Sequence, residues 1–409
     1  MVEHVGTGRG YIPKAAAASL DGWRVALEMP ISLLGGARLT IAGLGERMTV
    51  PMDQADKGMS RQGTAGGPLP GHARPAPADI THGIANPVSQ AMPSSDHFDG
   101  ERFFNPHAPQ GKTLQDVRRW RSMRQRELWP ERIDDPIFPP PGRVAHDRIS
   151  ATFIGHSTFL VQIGGICVLT DPIWSKRCSP VFFAGPRRVR QPGQRLNALP
   201  GVDLLLVTHN HYDHMDLPTL RRMRARWAPP VATGLGNAHH LAKADIRAAV
   251  ELDWWQSTDL AGARVTYVPA QHFSSRGLHD RNQCLWGGFV IEAGGVVVYF
   301  AGDSGYCPHF AEIGRRFPRI DLALLPIGAY EPRWFMQQQH VNPQEAVRAH
   351  LDLRPRRSIG MHFGTFQLTD EAIDAPVLAL REARSRAGVS DEDFDVLAFG
   401  ETREYPVTS

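Results

Sequence analysis

The chain reads as a layered α/β fold, with sheets covered by helices, and three observations carry that reading. From Ile149 onward, short apolar runs are separated by Gly and turn residues. Helical segments fall between many of those runs, the interleaving expected when helices cover a sheet. The residues able to do chemistry cluster just past the ends of the runs.

The strand-like runs are ISATFIG, STFLVQI, GICVLTD and VDLLLVTH, then ARVTYVPA, CLWGGFVIEA, VVVYFAGD, DLALLPIG and RSIGMHF. Between them the spacing predicts helices over Leu217–Arg226, Pro308–Phe317, Pro343–Leu353 and Asp370–Ala387. The main domain therefore runs over residues 149–409. Residues 96–148 read as a bracing segment: FDGERFFNP, a helix over Leu114–Glu127 with Trp120, Leu128 and Trp129 available for burial, and the linker DDPIFPPPG, whose prolines exclude both helix and central strand. Residues 1–95, rich in Gly, Ala and Pro without sustained periodicity, predict a disordered extension. A second reading of their composition, with several internal methionines, is a start codon placed upstream of one near Met92, which mass spectrometry of the native N-terminus would decide.

At 409 residues and 42% hydrophobic, the chain can fill a proper core. A formal charge of +3 is too small to argue for a nucleic-acid binder. Cys167, Cys178, Cys284 and Cys307 are widely spaced and suit reduced thiols in a cytoplasmic protein. The most apolar stretch, Trp23 to Leu44, is broken by Arg24, Glu28, Pro30 and Arg38, and the start lacks the pattern of a secretory signal. Neither export nor a spanning anchor is expected; peripheral contact with the inner membrane stays open.

The strongest chemical signal is THNHYDHMD, which sets His209, His211, Asp213 and His214 directly after the run Leu204 to Val207. Side chains two apart on extended backbone share a face, so His209 and His211 can chelate one ion while the turn offers Asp213 and His214 to another. Imidazole and carboxylate are donors that zinc and similar divalent metals prefer. Further donors come after other runs: His272 after VTYVPAQ, Asp303 after VVVYFAG and His362 after RSIGM. Singly each reads as an ordinary structural residue, and the histidine-rich loop as a polar surface turn; as an ordered set they read as ligands of two metals.

THNHYDH resembles the signature of the metallo-β-lactamase superfamily. The strings IGHSTFL, LTDPIW, SPVFFAGPRR, PAQHFSSR, FAGDSGYCPHF, PIGAYEPRWFM, QHVNPQEAV and MHFGTFQLTDE are similar to its N-acyl-phosphatidylethanolamine-hydrolysing phospholipase D branch, over about Phe98 to the C-terminus. The resemblance implies a four-layer αββα sandwich with the site at one edge of two sheets. It implies two Zn2+ ions, one on His209, His211 and His272, the other on Asp213, His214 and His362, with Asp303 bridging. Such a pair lowers the pKa of a shared water toward neutrality, so the implied reaction is hydroxide attack on a phosphodiester, with Asp213 orienting the water. No serine or cysteine nucleophile is required.

The resemblance also places His340 in the substrate pocket, as proton donor or phosphate contact, with Gln339 as a polar neighbour. Its alternative is a helix-entry residue ahead of Asn342 and Pro343, which read as N-cap and first-turn proline. Asp171 is a candidate to fix a ligand imidazole by accepting its other N–H, or a turn aspartate before Pro172. His156 is expected near the site without ligating, and His239 and His240 on a helix as structural residues. The loop Trp174 to Arg195 carries Phe182 and Phe183 among Lys176, Arg177, Arg187, Arg188, Arg190 and Arg195, suited either to anionic lipid headgroups or simply to water.

These features favour a zinc phosphodiesterase acting on N-acyl-phosphatidylethanolamine or a related glycerophosphodiester. A hydrolase of the same fold cleaving a lactone, thioester or other acyl bond is the alternative, because fold and metals do not choose the substrate. A non-catalytic metal-binding scaffold at a membrane is the reading from another class, and a full set of seven donors argues against it; a nuclease is disfavoured by the charge.

Overall fold

The computed structural model describes residues 94–108 and 111–407. The expectation of disorder over residues 1–95, and the question of an alternative start, thus fall almost wholly outside the described residues.

One sheet holds β1 (Arg148–Gly155), β2 (Thr158–Ile163), β3 (Ile166–Thr170), β4 (Leu204–Val207), β5 (Val231–Gly234), β6 (Val250–Leu252) and β14 (Thr402–Pro406), in the order β14-β1-β2-β3-β4-β5-β6. The other holds β7 (Ser257–Leu260), β8 (Ala263–Val268), β9 (Gly288–Ala293), β10 (Val296–Phe300), β11 (Leu322–Pro326), β12 (Ser358–Met361) and β13 (Phe394–Asp395), in the order β13-β12-β11-β10-β9-β8-β7. Each is mixed, antiparallel through β1-β2-β3 or β8-β9-β10 and parallel through β3-β4-β5 or β10-β11-β12.

Strand alternation builds the layers. In β4, Leu204 and Leu206 join the core between the sheets, where Phe153, Val265, Phe289 and Phe300 also lie. Leu205 and Val207 face the other way, packing with Leu220 and Met223 of α2 (Leu217–Arg226). Residues from α4 (His309–Arg316), α6 (Pro343–Leu353) and α7 (Ala375–Ala387) join the core of the second sheet: Ile313, Ala346, Val347 and Leu380. The arrangement is the four-layer αββα sandwich expected.

The bracing helix α1 (Leu114–Met123) starts with a capping box between Thr113 and Asp116 and buries Val117 and Trp120. Trp120 stacks at 4.8 Å on Phe335 of the short helix α5 (Arg333–Met336). Helix α1 stops before the predicted Glu127, because Arg124 turns extended and the chain crosses to Asp370: the Glu127 N–H donates to the Asp370 carbonyl at 3.0 Å, and Trp120 Nε1 donates to its carboxylate at 2.9 Å. Leu128, one of the three side chains available for burial, is 94% exposed as a result, while Trp129 is half-buried and donates to the Glu371 carbonyl. Helix α7 begins at Ala375 rather than Asp370, since the Glu371 carboxylate accepts the backbone N–H groups of Ala329, Tyr330 and Glu331 instead of starting a helix. Strands β5, β6, β7, β13 and β14 answer to no apolar run singled out in the sequence; all are short and three are half-exposed or more along much of their length.

The four cysteines are buried and free. Among the described residues, no helix is long and apolar enough to cross a membrane.

Candidate metal centre

Every donor singled out in the sequence comes to one end of the sandwich, just past strand ends. Asp171 follows β3, His209 to His214 follow β4, His272 follows β8, Asp303 follows β10 and His362 follows β12. Parallel strands on both sheets end here, so their loops converge. His156, Asp171 and His362 hold positive φ (59°, 32° and 62°), a conformation that costs about 1–3 kcal/mol each and clusters at functional sites.

The protonation pattern comes from the hydrogen bonds. Thr208 Oγ1 donates to Asp171 Oδ2 at 2.7 Å, so at 2.9 Å it accepts from His209 Nδ1–H. His272 Nδ1 lies 2.9 Å from the Gln339 carbonyl, which only accepts. Both imidazoles thus turn a bare Nε2 toward His211 Nδ1, at 2.9 and 3.3 Å. Three nitrogens meet with at most one N–H to share, an arrangement that a cation among them resolves.

A second group lies beside the first. His214 Nδ1 donates to Asp171 Oδ2 at 2.7 Å, which makes Nε2 the nitrogen it turns to the second group, 3.2 Å from Asp303 Oδ2 and 3.5 Å from Asp213 Oδ2. His362 Nε2 stands 3.1 Å from Asp303 Oδ2 and 3.5 Å from Asp213 Oδ2. Asp303 Oδ2 also approaches His272 Nε2 at 3.7 Å, so this one oxygen faces both groups.

The donor set fits divalent metal on its own chemistry. His211 Nε2, His214 Nε2, Asp303 Oδ1 and both nitrogens of His362 are buried without a hydrogen-bond partner, a costly state for polar atoms unless something pairs with them. Burial by itself would lower His362 basicity, but Asp303 and Asp213 outweigh it and carry its pKa up to about 9. His214 is likewise driven well above the ordinary histidine value against burial, by Asp303, Asp213 and Asp171. Asp213 and Asp303 sit well below the usual carboxylate range despite burial, through His214 above all. His272 is pushed down to about 4 by burial, and burial also holds His209 and His211 neutral, as ligands must be. The carboxylate-rich half calls for positive charge, and the imidazole-rich half offers lone pairs.

The other expected residues surround these two groups. Asp171, fully buried, accepts from His214 Nδ1, Thr208 Oγ1 and Thr208 N, far more than a turn aspartate does. His156 donates from Nε2 to Asp213 Oδ2 at 3.0 Å, and its carbonyl accepts the His362 N–H. His340 stands at the rim between the groups, its ring 5.1 Å from His272 and 5.3 Å from His362, with Nδ1 buried and unpartnered. Gln339 contributes the carbonyl that orients His272, and Asn342 caps α6 through a capping box with Glu345, as its spacing predicts. His239 and His240 lie on the short helix α3 (Ala238–Leu241). Phe182 and Phe183 are 90% and 61% exposed. Two cations of their loop are engaged by the fold: Arg188 is buried, donating to the carbonyls of Ile173 and Ser175, and the partly exposed Arg190 pairs with Asp135. Proline-rich linker residues fold back over that part of the loop, which loop composition alone did not reveal.

Two residues escaped the sequence reading. Thr208 couples Asp171 to His209, and its place directly before the histidine-rich run was the available signal. Arg276 donates to the carbonyls of Asn210 and Met215, clamping that loop while stacking on Tyr212 at 4.1 Å; nothing in its local sequence marks it.

A beta-lactamase superfamily domain model matches residues 167–363. The chain is 39% identical over 267 residues to N-acyl-phosphatidylethanolamine-hydrolyzing phospholipase D 1 of Caenorhabditis elegans, covering 62% of this chain and 75% of that protein. It is 33% identical over 247 residues to the mitochondrial N-acyl-phosphatidylethanolamine-hydrolyzing phospholipase D of Saccharomyces cerevisiae, covering 59% of this chain and 53% of that one. Among solved structures, an isothiocyanate hydrolase from Delia radicum gut bacteria superposes with a TM-score of 0.50 at 19% identity, over 63% of this chain and 99% of that one, a likeness of fold.

Proposed function

The chain belongs to the beta-lactamase superfamily, in the branch of the N-acyl-phosphatidylethanolamine-hydrolysing phospholipases D, and is a metal-dependent hydrolase; from that premise we propose that it is a binuclear zinc phosphodiesterase cleaving N-acyl-phosphatidylethanolamine or a related glycerophosphodiester. The observation that carries the binuclear reading is Asp303 Oδ2, within 3.1–3.7 Å of His214, His272 and His362 nitrogens belonging to both groups. His209, His211 and His272 would hold one ion, Asp213, His214 and His362 the other, and Asp303 both.

Zinc bound there supplies Lewis acidity, acidifying water and neutralising charge on phosphoryl oxygens. Asp213, aligned by its bond from His156, keeps a carboxylate oxygen aimed into the site to orient the attacking water. His340 is held well below the ordinary histidine pKa by burial, so it meets a phosphoryl oxygen as a neutral N–H donor rather than as a cation. Asp171 and the Gln339 carbonyl fix the tautomers of His214 and His272 and so keep the lone pairs pointing inward. The exposed Phe182 and Phe183 pair, with Lys176, Arg177, Arg187 and Arg195 on the same loop, supports peripheral approach to anionic lipid.

The test is a substrate panel on zinc-loaded protein with metal content measured in parallel. Release of N-acylethanolamine and phosphatidic acid is the expected result. Hydrolysis of lactones or thioesters with lipid diesters untouched would replace this reading with an acyl hydrolase of the same fold, and two bound metals with no turnover of any ester would favour a scaffold.

A further inference from the structure

Beside the metal centre, a cavity of about 440 Å³ opens between the bracing segment and the main domain. His272 and Gln339 line it on the metal side, and Asn105 ties the two parts together by donating from Nδ2 to the His272 carbonyl at 2.8 Å. Arg281 lines the same cavity, its guanidinium 4.5 Å from the ring centre of Phe273, the residue after His272.

Arg281 is a half-buried cation without a counter-charge. Among the described residues, no carboxylate pairs with it and no acceptor takes a hydrogen bond from its side chain, and burial alone pulls its pKa below the usual arginine value. The two nearest acids in sequence and in the cavity are committed elsewhere. Asp280 accepts the backbone N–H groups of Arg276 and Gly277, and Asp99 those of Glu101 and Arg102. Withdrawing a guanidinium from water is costly unless an anion meets it, and its planar fork matches the oxygens of a phosphate or carboxylate. Phe103, Phe104 and Phe273 add apolar wall to the same cavity.

We propose that this cavity is an oxyanion subsite, in which Arg281 receives a second anionic group of the substrate, remote from the bond cut at the metal centre. The proposal rests on the phosphodiesterase reading for the identity of the substrate, but not for the existence of the subsite. It makes the preferred substrates lipid diesters with an additional phosphate or carboxylate.

The test is calorimetric titration of the full-length, zinc-loaded protein with two probes, inorganic phosphate and dihexanoyl phosphatidic acid, in wild type, Arg281→Gln and Arg281→Lys. Wild type should bind an equivalent of phosphatidic acid that Arg281→Gln binds about tenfold or more weakly, with partial recovery in Arg281→Lys. Circular dichroism confirms that the variants fold. Phosphatidic acid should bind this site more tightly than inorganic phosphate, because the apolar wall recognises its chains. Equal titrations of wild type and Arg281→Gln would overturn the subsite; equal affinity for both probes would make it a free-phosphate site and remove its role toward substrate. An intact subsite in a protein that cleaves no phosphodiester would refute the functional reading alone.

Discussion

Replacing Asp171 with Asn alters no volume and removes one negative charge from the support of the metal centre. The carboxylate accepts three hydrogen bonds, Thr208 N at 2.8 Å on Oδ1, and Thr208 Oγ1 and His214 Nδ1 at 2.7 Å on Oδ2. An amide that keeps its oxygen toward Thr208 N presents an NH2 to the other two, which are themselves donors. Thr208 Oγ1 cannot simply reverse, because it already accepts from His209. His214 then does best by moving its proton to Nε2, which removes the lone pair aimed at the second group. Losing such a supporting partner costs about 10–100-fold in metal affinity, or roughly 1.4–2.7 kcal/mol. Competition against a chromophoric chelator should show this chiefly for the ion assigned to His214. Affinities within about twofold of wild type, in a protein folded by circular dichroism, would refute the tautomer argument.

Three further outcomes are expected. Asp303→Asn should reduce bound metal from two ions toward one and lower turnover by at least about a hundredfold; inductively coupled plasma analysis beside the lipid assay checks both, and two retained ions would count against the bridging role. Phe153→Ala should cost about 3–5 kcal/mol in urea unfolding, since this fully buried ring packs against Phe159, Phe363 and Phe399 at 4.8–5.5 Å; a cost below about 1 kcal/mol would mean the space between the sheets collapses readily. His97, stacked on Trp254 at 4.2 Å, has its pKa raised despite burial by bonds to Asp253 and Asp96. A raised pKa stabilises fully below the unfolded value of about 6.5 and less as pH climbs through the folded value. Hydrogen exchange in residues 95–108 should therefore be slower at pH 6 than at pH 8, after correction for intrinsic rates, and His97→Gln should erase the difference.

The donors were readable in sequence because each comes directly after an apolar run, and a parallel α/β sheet gathers the loops beyond its strands at one end. Local signals also located α2 and α6: the periodicity of both, and for α6 the Asn342 cap, depend on residues a few positions apart. Reading failed where partners are remote. Nothing near Arg124 signals that α1 ends there, because the interaction that ends it is with Asp370; nothing near Asp370 and Glu371 signals that they serve other backbone segments rather than a helix start. The inward turn of Arg188 and Arg190 has the same origin.

Local chemistry therefore determines which side chains can bind metal, which strands have a buried face, and where several helices begin, since those properties depend on residues a few positions apart. Tertiary structure alone decided that Asp303 faces both groups of imidazoles, that Thr208 and Asp171 set the tautomers, and that the acids near Arg281 are bonded to backbone rather than to its guanidinium. Those facts depend on distances between atoms tens to hundreds of residues apart, which spacing along a chain does not encode.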